Sequence, residues 1–107
     1  MTAFDPRAVL DVLEGEYAAR AAAIRRDLAA SHSQDFAEQA SERQNDEVLE
    51  ALLREAEAAQ QGVVRAKLRV AAGTYGACLR CGEPIAAARL QAFPAAECCL
   101  GCADQDR

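Results

Sequence analysis

The sequence contains no tryptophan, and its aromatic residues are three phenylalanines and two tyrosines among 107 residues. We do not expect a thick globular core before residue 73, because so many of the apolar residues there are small. Alanine is the commonest apolar residue in that part of the chain, and glutamate, arginine and leucine are also frequent. This composition is typical of long helices that meet along narrow seams.

Long apolar runs are also missing, since none approaches the roughly 20 residues that a membrane-spanning helix needs. The stretch 1–17 has neither the basic region nor the apolar region of a secretory signal peptide. We therefore expect a cytoplasmic protein with no membrane partner. Thiols stay reduced in that compartment, which favours metal binding over disulfides for any paired cysteines.

Basic residues are outnumbered, with 12 lysines and arginines against 17 aspartates and glutamates, for a net charge of −5 and a pI near 4.8. Sequence-independent binding to nucleic acid depends on neutralising phosphates with lysine and arginine. The balance of charge therefore argues against direct DNA binding. A zinc-binding segment on such a chain is expected to contact protein.

All five cysteines lie in the stretch 73–102, GTYGACLRCGEPIAAARLQAFPAAECCLGC. Two C-x2-C pairs, separated by 17 residues, are formed by Cys78 with Cys81 and by Cys99 with Cys102. Two such pairs can bring four sulfur ligands to a tetrahedral zinc ion from two places in the chain. We predict one structural Zn²⁺ held by these four residues. Disulfides or unpaired buried thiols are the competing interpretation.

Cys98 and Cys99 compete for the third ligand position, because Cys98 could pair with Cys102 at C-x3-C spacing. Cys99 repeats the spacing of the first pair and is favoured on that ground. Cys98 then lies beside the metal as a spare thiol. It is either a small packed residue or a redox-sensitive group that exchanges with the site.

Two helices are predicted before the cysteines. Apolar residues recur every three or four positions in the first helix, 6–30, and again in the second, 42–72. The first seam is Leu10, Leu13, Tyr17, Ala21, Ile24 and Leu28. The second seam is Asn45, Leu49, Leu52, Ala56, Ala59, Val63, Ala66 and Val70. The short polar stretch 31–41 predicts a turn, so the two helices should pair antiparallel as a coiled coil.

Residues that typically start or end helices support these bounds. Asp5 can cap the first helix, Ser41 with Gln44 resembles a capping box for the second, and Gly73 ends it. The expected fold is mainly α: a long hairpin in residues 1–72 with its tip at 31–41, and a small zinc finger in 73–107. A core over the metal is expected from four residues: Tyr75, Ile85, Leu90 and Phe93.

The cysteine stretch resembles the DksA/TraR family of zinc-finger transcription factors, whose pattern is GxYGxCxxCGxxIxxxRLxAxPxxxxCxxC. The matching residues are Gly73, Tyr75, Gly76, Cys78, Cys81, Gly82, Ile85, Arg89, Leu90, Ala92, Pro94, Cys99 and Cys102. The hairpin before this stretch extends the resemblance over most of the chain.

The resemblance implies a partner, bacterial RNA polymerase. Family members insert the coiled coil into the secondary channel of the polymerase and modulate initiation, in the context of the stringent response. The family's tip motif, D-x-x-D-x-A, corresponds to Asp35, Glu38 and Ala40. A monomer without enzymatic activity is expected. A redox C-x-x-C enzyme is disfavoured because the second cysteine pair completes a metal site.

Departures from the family pattern keep an alternative open. Glu38 stands where the family has aspartate. The longer family members bind guanosine tetraphosphate with basic residues near the finger. The corresponding residues here are not basic: Phe93, Ala103 and, by a looser alignment, Gly62. We therefore predict weak dependence on that nucleotide. The alternative function is a zinc-stabilised adaptor, or a competitor for the secondary channel that lacks full DksA activity.

Overall fold

The computed structural model of the chain describes residues 4–30 and 36–104. Four helices follow one another: α1 (Pro6–Ala29), α2 (Phe36–Ala72), α3 (Ala87–Ala92) and α4 (Leu100–Asp104). No β-strand forms within the described ranges, where one isolated antiparallel bridge joins Ala77 to Pro84. The mainly α fold, a hairpin of two long helices followed by a compact cysteine segment, is confirmed.

Helix α1 begins as its sequence predicts. A carboxylate oxygen of Asp5 accepts a hydrogen bond from the backbone N–H of Ala8 at 3.3 Å, and the Asp5 carbonyl accepts one from Val9 at 3.1 Å. Pro6 occupies the first helical position, where its missing N–H costs nothing. The aspartate therefore caps the helix and satisfies a donor that would otherwise lack a partner.

Helix α2 begins at Phe36, six residues before the predicted start at 42. The prediction of a turn over 36–41 is wrong, because FAEQAS contains no glycine or proline and is rich in good helix formers. Ser41 lies inside the helix and cannot cap it. The rest of the predicted tip, 31–35, lies outside the described residues.

The chain divides into two compact units. The helical unit is Gly15–Gln60, and the cysteine unit joins Met1–Glu14 to Gln61–Arg107. In the helical unit, Arg25 of α1 pairs with Glu57 of α2 at 2.9 Å, an exposed contact. The boundary predicted between 72 and 73 stays a prediction.

In the cysteine unit, Lys67 of α2 joins two carboxylates of α1. Its Nζ lies 2.7 Å from Asp11 and 2.7 Å from Glu14. The hydrogen bond to Asp11 is the largest of the effects that raise the pKa of Lys67 above its usual value of 10.5. The contribution of these pairs to stability is therefore complete below pH 10.5 and is lost as the pH rises through the folded-state pKa.

The seam predicted for α2 is correct at six of its eight positions and wrong at two, Asn45 and Leu52. Every seventh residue from Leu49 is half-buried or buried: Leu49, Ala56, Val63 and Val70. Near the start of the helix, however, Asn45 is exposed and Leu52 is 45 % exposed, whereas Leu53 is half-buried. The other half-covered residues there are polar: Gln39, Glu42 and Asp46. Apolar periodicity alone cannot reveal a contact face that polar residues occupy.

Neither long helix offers a stretch apolar enough to cross a lipid bilayer, as judged over the described residues.

Candidate metal centre

The end of α2 sets the path into the cysteine segment. The N–H of Gly73 donates to the Val70 carbonyl at 3.2 Å, and the N–H of Thr74 donates to the Arg69 carbonyl at 2.9 Å. Gly73 has a φ of 78°, a conformation that side chains disfavour. These features make a Schellman motif, so the prediction that Gly73 ends the helix is confirmed.

The first cysteine pair lies in a tight turn. The N–H of Cys78 donates to the Glu83 carbonyl at 2.8 Å, and the N–H of Gly82 donates to the Cys78 carbonyl at 2.9 Å. Gly82 has a φ of 79°, which closes the turn. The N–H of Arg80 points at the Cys78 sulfur from 3.4 Å. Such donors stabilise a thiolate and orient it as a ligand.

The second pair lies at the start of α4. The N–H of Ala103 donates to the Cys99 carbonyl at 2.9 Å, and Arg80 donates through Nη1 to the Cys102 carbonyl at 3.3 Å. The two pairs are also joined through the backbone, since Leu79 donates to the Glu97 carbonyl at 2.8 Å. The two halves of the site are therefore held together by hydrogen bonds as well as by their sulfurs.

The four sulfurs converge. The Sγ atoms of Cys78, Cys81, Cys99 and Cys102 all lie within 4.8 Å of one another. The Cys81 and Cys99 sulfurs are 3.9 Å apart. With Zn–S bonds of about 2.3 Å, the edges of a tetrahedron of sulfurs are about 3.8 Å long. The donor set and its spacing fit one tetrahedral zinc ion.

Because the four thiols are so close, they have different pKa values. Hydrogen bonding from the Cys81 backbone is the largest of the effects that lower the pKa of Cys78 to about 5. A hydrogen bond with the Cys99 sulfur, followed by burial, raises the pKa of Cys102 to about 12. A hydrogen bond from the Glu83 backbone lowers the pKa of Cys81, but its hydrogen bond with the Cys78 sulfur and its burial raise that pKa above 9.0. A bound cation would offset these differences in pKa, because it stabilises every ligand as a thiolate.

Zinc affinity should therefore rise steeply with pH. At pH 7 the raised pKa values keep Cys81 and Cys102 protonated, so binding should release at least two protons. We expect the association constant to rise by about 100-fold per pH unit between pH 6 and 8. Competition with a chelator of known affinity at three pH values measures this slope. A flat profile would contradict the prediction, and Cys98→Ser should keep the wild-type slope.

Cys98 lies outside the group of four. It is half-buried, and its backbone carbonyl accepts a hydrogen bond from Nε of Arg89 at 3.0 Å. The structure thus brings together the four cysteines that spacing favoured, with Cys99 rather than Cys98 in the group. A redox role for Cys98 stays a prediction.

The expected core over the metal is only partly present. Ile85 is buried, and the hydroxyl of Tyr75 donates to the Pro94 carbonyl at 2.8 Å. Leu90 is half-buried, but Phe93 is 51 % exposed, so its assignment to the core is wrong. The Arg89 guanidinium lies 5.7 Å from the centre of the Phe93 ring, which gives that ring a surface partner.

The predicted tip residues fall at the start of α2. Glu38 is exposed in its first turn, and Ala40 is exposed in the following turn. Asp35 lies outside the described residues. A carboxylate in a first turn interacts favourably with the helix dipole, so Glu38 also stabilises α2.

Comparison with known proteins bears on both parts of the chain. Residues 7–68, more than half of the chain, match the protein family described as "DnaK suppressor protein-like, N-terminal domain". Residues 73–105 match the family described as "Prokaryotic dksA/traR C4-type zinc finger". The chain belongs to the DksA/TraR family. Family membership confirms the resemblance seen in the sequence. The four sulfurs are those of a C4-type zinc finger, positioned to bind one metal ion.

Solved structures of DksA proteins are similar to the chain. Transcription factor DksA2 from Pseudomonas aeruginosa is 28 % identical with a TM-score of 0.80, over 94 % of this chain and 79 % of its own. DnaK suppressor protein from Agrobacterium tumefaciens C58 is 33 % identical with a TM-score of 0.64, over 94 % and 89 % of the two chains. No curated protein sequence matches significantly. The fold is that of DksA-family transcription factors.

Sequence reasoning missed Glu97. Its carboxylate lies 3.2 Å from Arg65 and 3.5 Å from Arg69, both on α2. A signal was present in the sequence, because two arginines spaced by four residues near a helix end precede a carboxylate beside a ligand pair.

Proposed function

We propose that the protein is a DksA-like transcription regulator that binds bacterial RNA polymerase in the cytoplasm as a monomer. In this proposal the tip of its hairpin enters the secondary channel and modulates initiation, and the protein neither contacts DNA nor catalyses a reaction. The observation that carries the proposal is the match of both family descriptions, in order, to 7–68 and 73–105.

The dimensions of the helices support channel entry. Helices α1 and α2 contain 24 and 37 residues. At about 1.5 Å per residue these are roughly 36 Å and 55 Å long. A pair of helices can enter a passage too narrow for a globular domain. The net charge of −5 disfavours tracking of DNA phosphates and suits contacts with basic polymerase loops.

In the proposal, Asp35, Glu38 and Ala40 form the contact at the tip. Carboxylates there would act on basic loops and on the environment of the catalytic magnesium ion. Glu38 is exposed at the start of α2, as such a contact requires.

Zinc has a structural part in this proposal. The ligands would be the four converging cysteines, Cys78, Cys81, Cys99 and Cys102. The ion supplies a cross-link that fixes the cysteine segment. Cys98 would contribute a thiol outside the ligand set.

A second candidate is a zinc-stabilised adaptor, or a competitor that occupies the channel without full DksA activity. It is favoured by Glu38, which replaces the family's aspartate with a longer carboxylate. Contacts that need a short, fixed carboxylate would weaken, whereas occupation of the channel would not.

Competition on purified polymerase tests the proposal. We expect the protein to bind the enzyme and to be displaced by a transcript-cleavage factor of similar hairpin shape, because the two would share the channel. We also expect the wild type to change initiation in a transcription assay. Displacement without any effect on initiation would favour the competitor. Absence of polymerase binding would refute both the regulator and the competitor and leave the adaptor.

A further inference from the structure

One carboxylate, Glu97, touches α2 and both halves of the cysteine site. Its side chain lies 3.2 Å from Nε of Arg65 and 3.5 Å from Nη1 of Arg69. Its backbone carbonyl accepts the N–H of Leu79, between the two cysteines of the first pair, at 2.8 Å. Two positions further along the chain is Cys99, one of the four converging sulfurs.

The contact between Glu97 and Arg69 matters because the Arg69 side chain is nearly buried. It is only 11 % exposed, and its Nη2 atom is buried with no hydrogen-bond partner in the described ranges. A guanidinium so covered needs a nearby carboxylate, since removal of one partner of a covered pair leaves an uncompensated charge. The backbone of Arg69 also matters, because its carbonyl accepts the hydrogen bond from Thr74 that ends α2.

The position of Glu97 depends in turn on the metal. The finger has few buried apolar residues to order it: Ile85, Pro94, Ala95 and Ala96, with the side chain of Cys78. The two cysteine pairs come from separate parts of the segment, and an ion bound to all four sulfurs would cross-link them. Loss of zinc should therefore free the segment around Cys99, move Glu97 away from α2, and leave Arg69 without its counter-charge.

We propose that Glu97 couples zinc occupancy to the stability of the last turns of α2. The coupling is reciprocal. The free energy by which bound zinc stabilises residues 65–72 through Glu97 equals the free energy by which these helix contacts strengthen zinc binding. The proposal concerns only zinc and the helix, so it holds whichever partner the hairpin binds.

The test uses Glu97→Gln, which removes the charge and keeps the shape. We expect the zinc dissociation constant to rise by about tenfold, as for other residues that support metal ligands. In the wild type, chelation of zinc should speed amide hydrogen exchange across 65–72. In the variant, exchange there should already be fast with zinc bound and should change little on chelation. A merely structural role would lower protection equally with and without zinc.

Glu57→Gln is the matched control, because it removes an ion pair between α1 and α2 far from the cysteines in sequence. It should keep wild-type zinc affinity and a wild-type response to chelation. Arg65→Gln removes the shorter pair and leaves Arg69 its carboxylate, so it should weaken zinc binding by a smaller factor. Wild-type zinc affinity in Glu97→Gln, or an undiminished response of 65–72 to chelation, would overturn the proposal.

Discussion

Replacing Cys78 with serine is expected to abolish zinc binding and to unfold the segment from Gly73 to Asp104. Structural zinc sites of this kind contribute roughly 10–16 kcal/mol of apparent binding free energy at pH 7. The buried side chains beyond the helices are too few and too small to replace that contribution. Zinc content, measured on the purified protein, and NMR spectra of the segment report the two effects separately.

Cys98→Ser is the control for this result. It changes a neighbour of Cys99 that lies outside the converging group, so zinc stoichiometry and the NMR spectrum should stay close to the wild type. Should Cys98→Ser lose zinc while Cys99→Ser keeps it, the ligand set would have to include Cys98. The helical unit, Gly15–Gln60, should keep its helicity in the Cys78 variant, because its contacts involve no cysteine.

Replacing Asp35 with asparagine is expected to abolish the effect of the protein on transcription while polymerase binding stays close to normal. The change removes a charge at the proposed point of action and preserves side-chain size. If the carboxylate acts on the polymerase active centre, as proposed, the loss appears in transcription assays and not in affinity. Both should be measured with the same polymerase preparation.

Two further variants test whether carboxylate length and position at the tip determine the effect on transcription. Glu38→Asp restores the family's shorter carboxylate, and a gain in transcriptional effect would show that the longer side chain weakens the contact. Glu47→Gln removes an exposed carboxylate elsewhere on α2 and should leave the effect unchanged. If Asp35→Asn instead abolished binding, the tip would be an affinity element, contrary to the proposal.

The helices were predictable because their signals are local. Asp5 and Pro6 start α1, Gly73 ends α2, and the seven-residue spacing from Leu49 identifies one covered face. Each signal depends on a few adjacent residues and on helix geometry. The start of α2 was not predicted, because 36–41 was assigned to the turn and the half-buried residues near the helix start, such as Gln39 and Asp46, are polar.

The metal centre was predictable to the extent that ligand spacing determines it. Two C-x2-C pairs identified the four residues that the structure brings together, and regular spacing separated Cys99 from Cys98. The surroundings of the site depend on contacts between distant parts of the chain. The exposure of Phe93 and the contacts of Glu97 with Arg65 and Arg69 arise only when the segment folds against α2.

The alanines of the helix seams have a calorimetric consequence. Ala21, Ala56 and Ala66 are covered almost completely, yet each removes only a methyl group from water. The heat-capacity change of unfolding and the steepness of denaturant transitions both grow with the surface that unfolding exposes. Both quantities should therefore be small for a chain of 107 residues. Its stability should therefore vary gently with temperature, and its unfolding in urea should be broad.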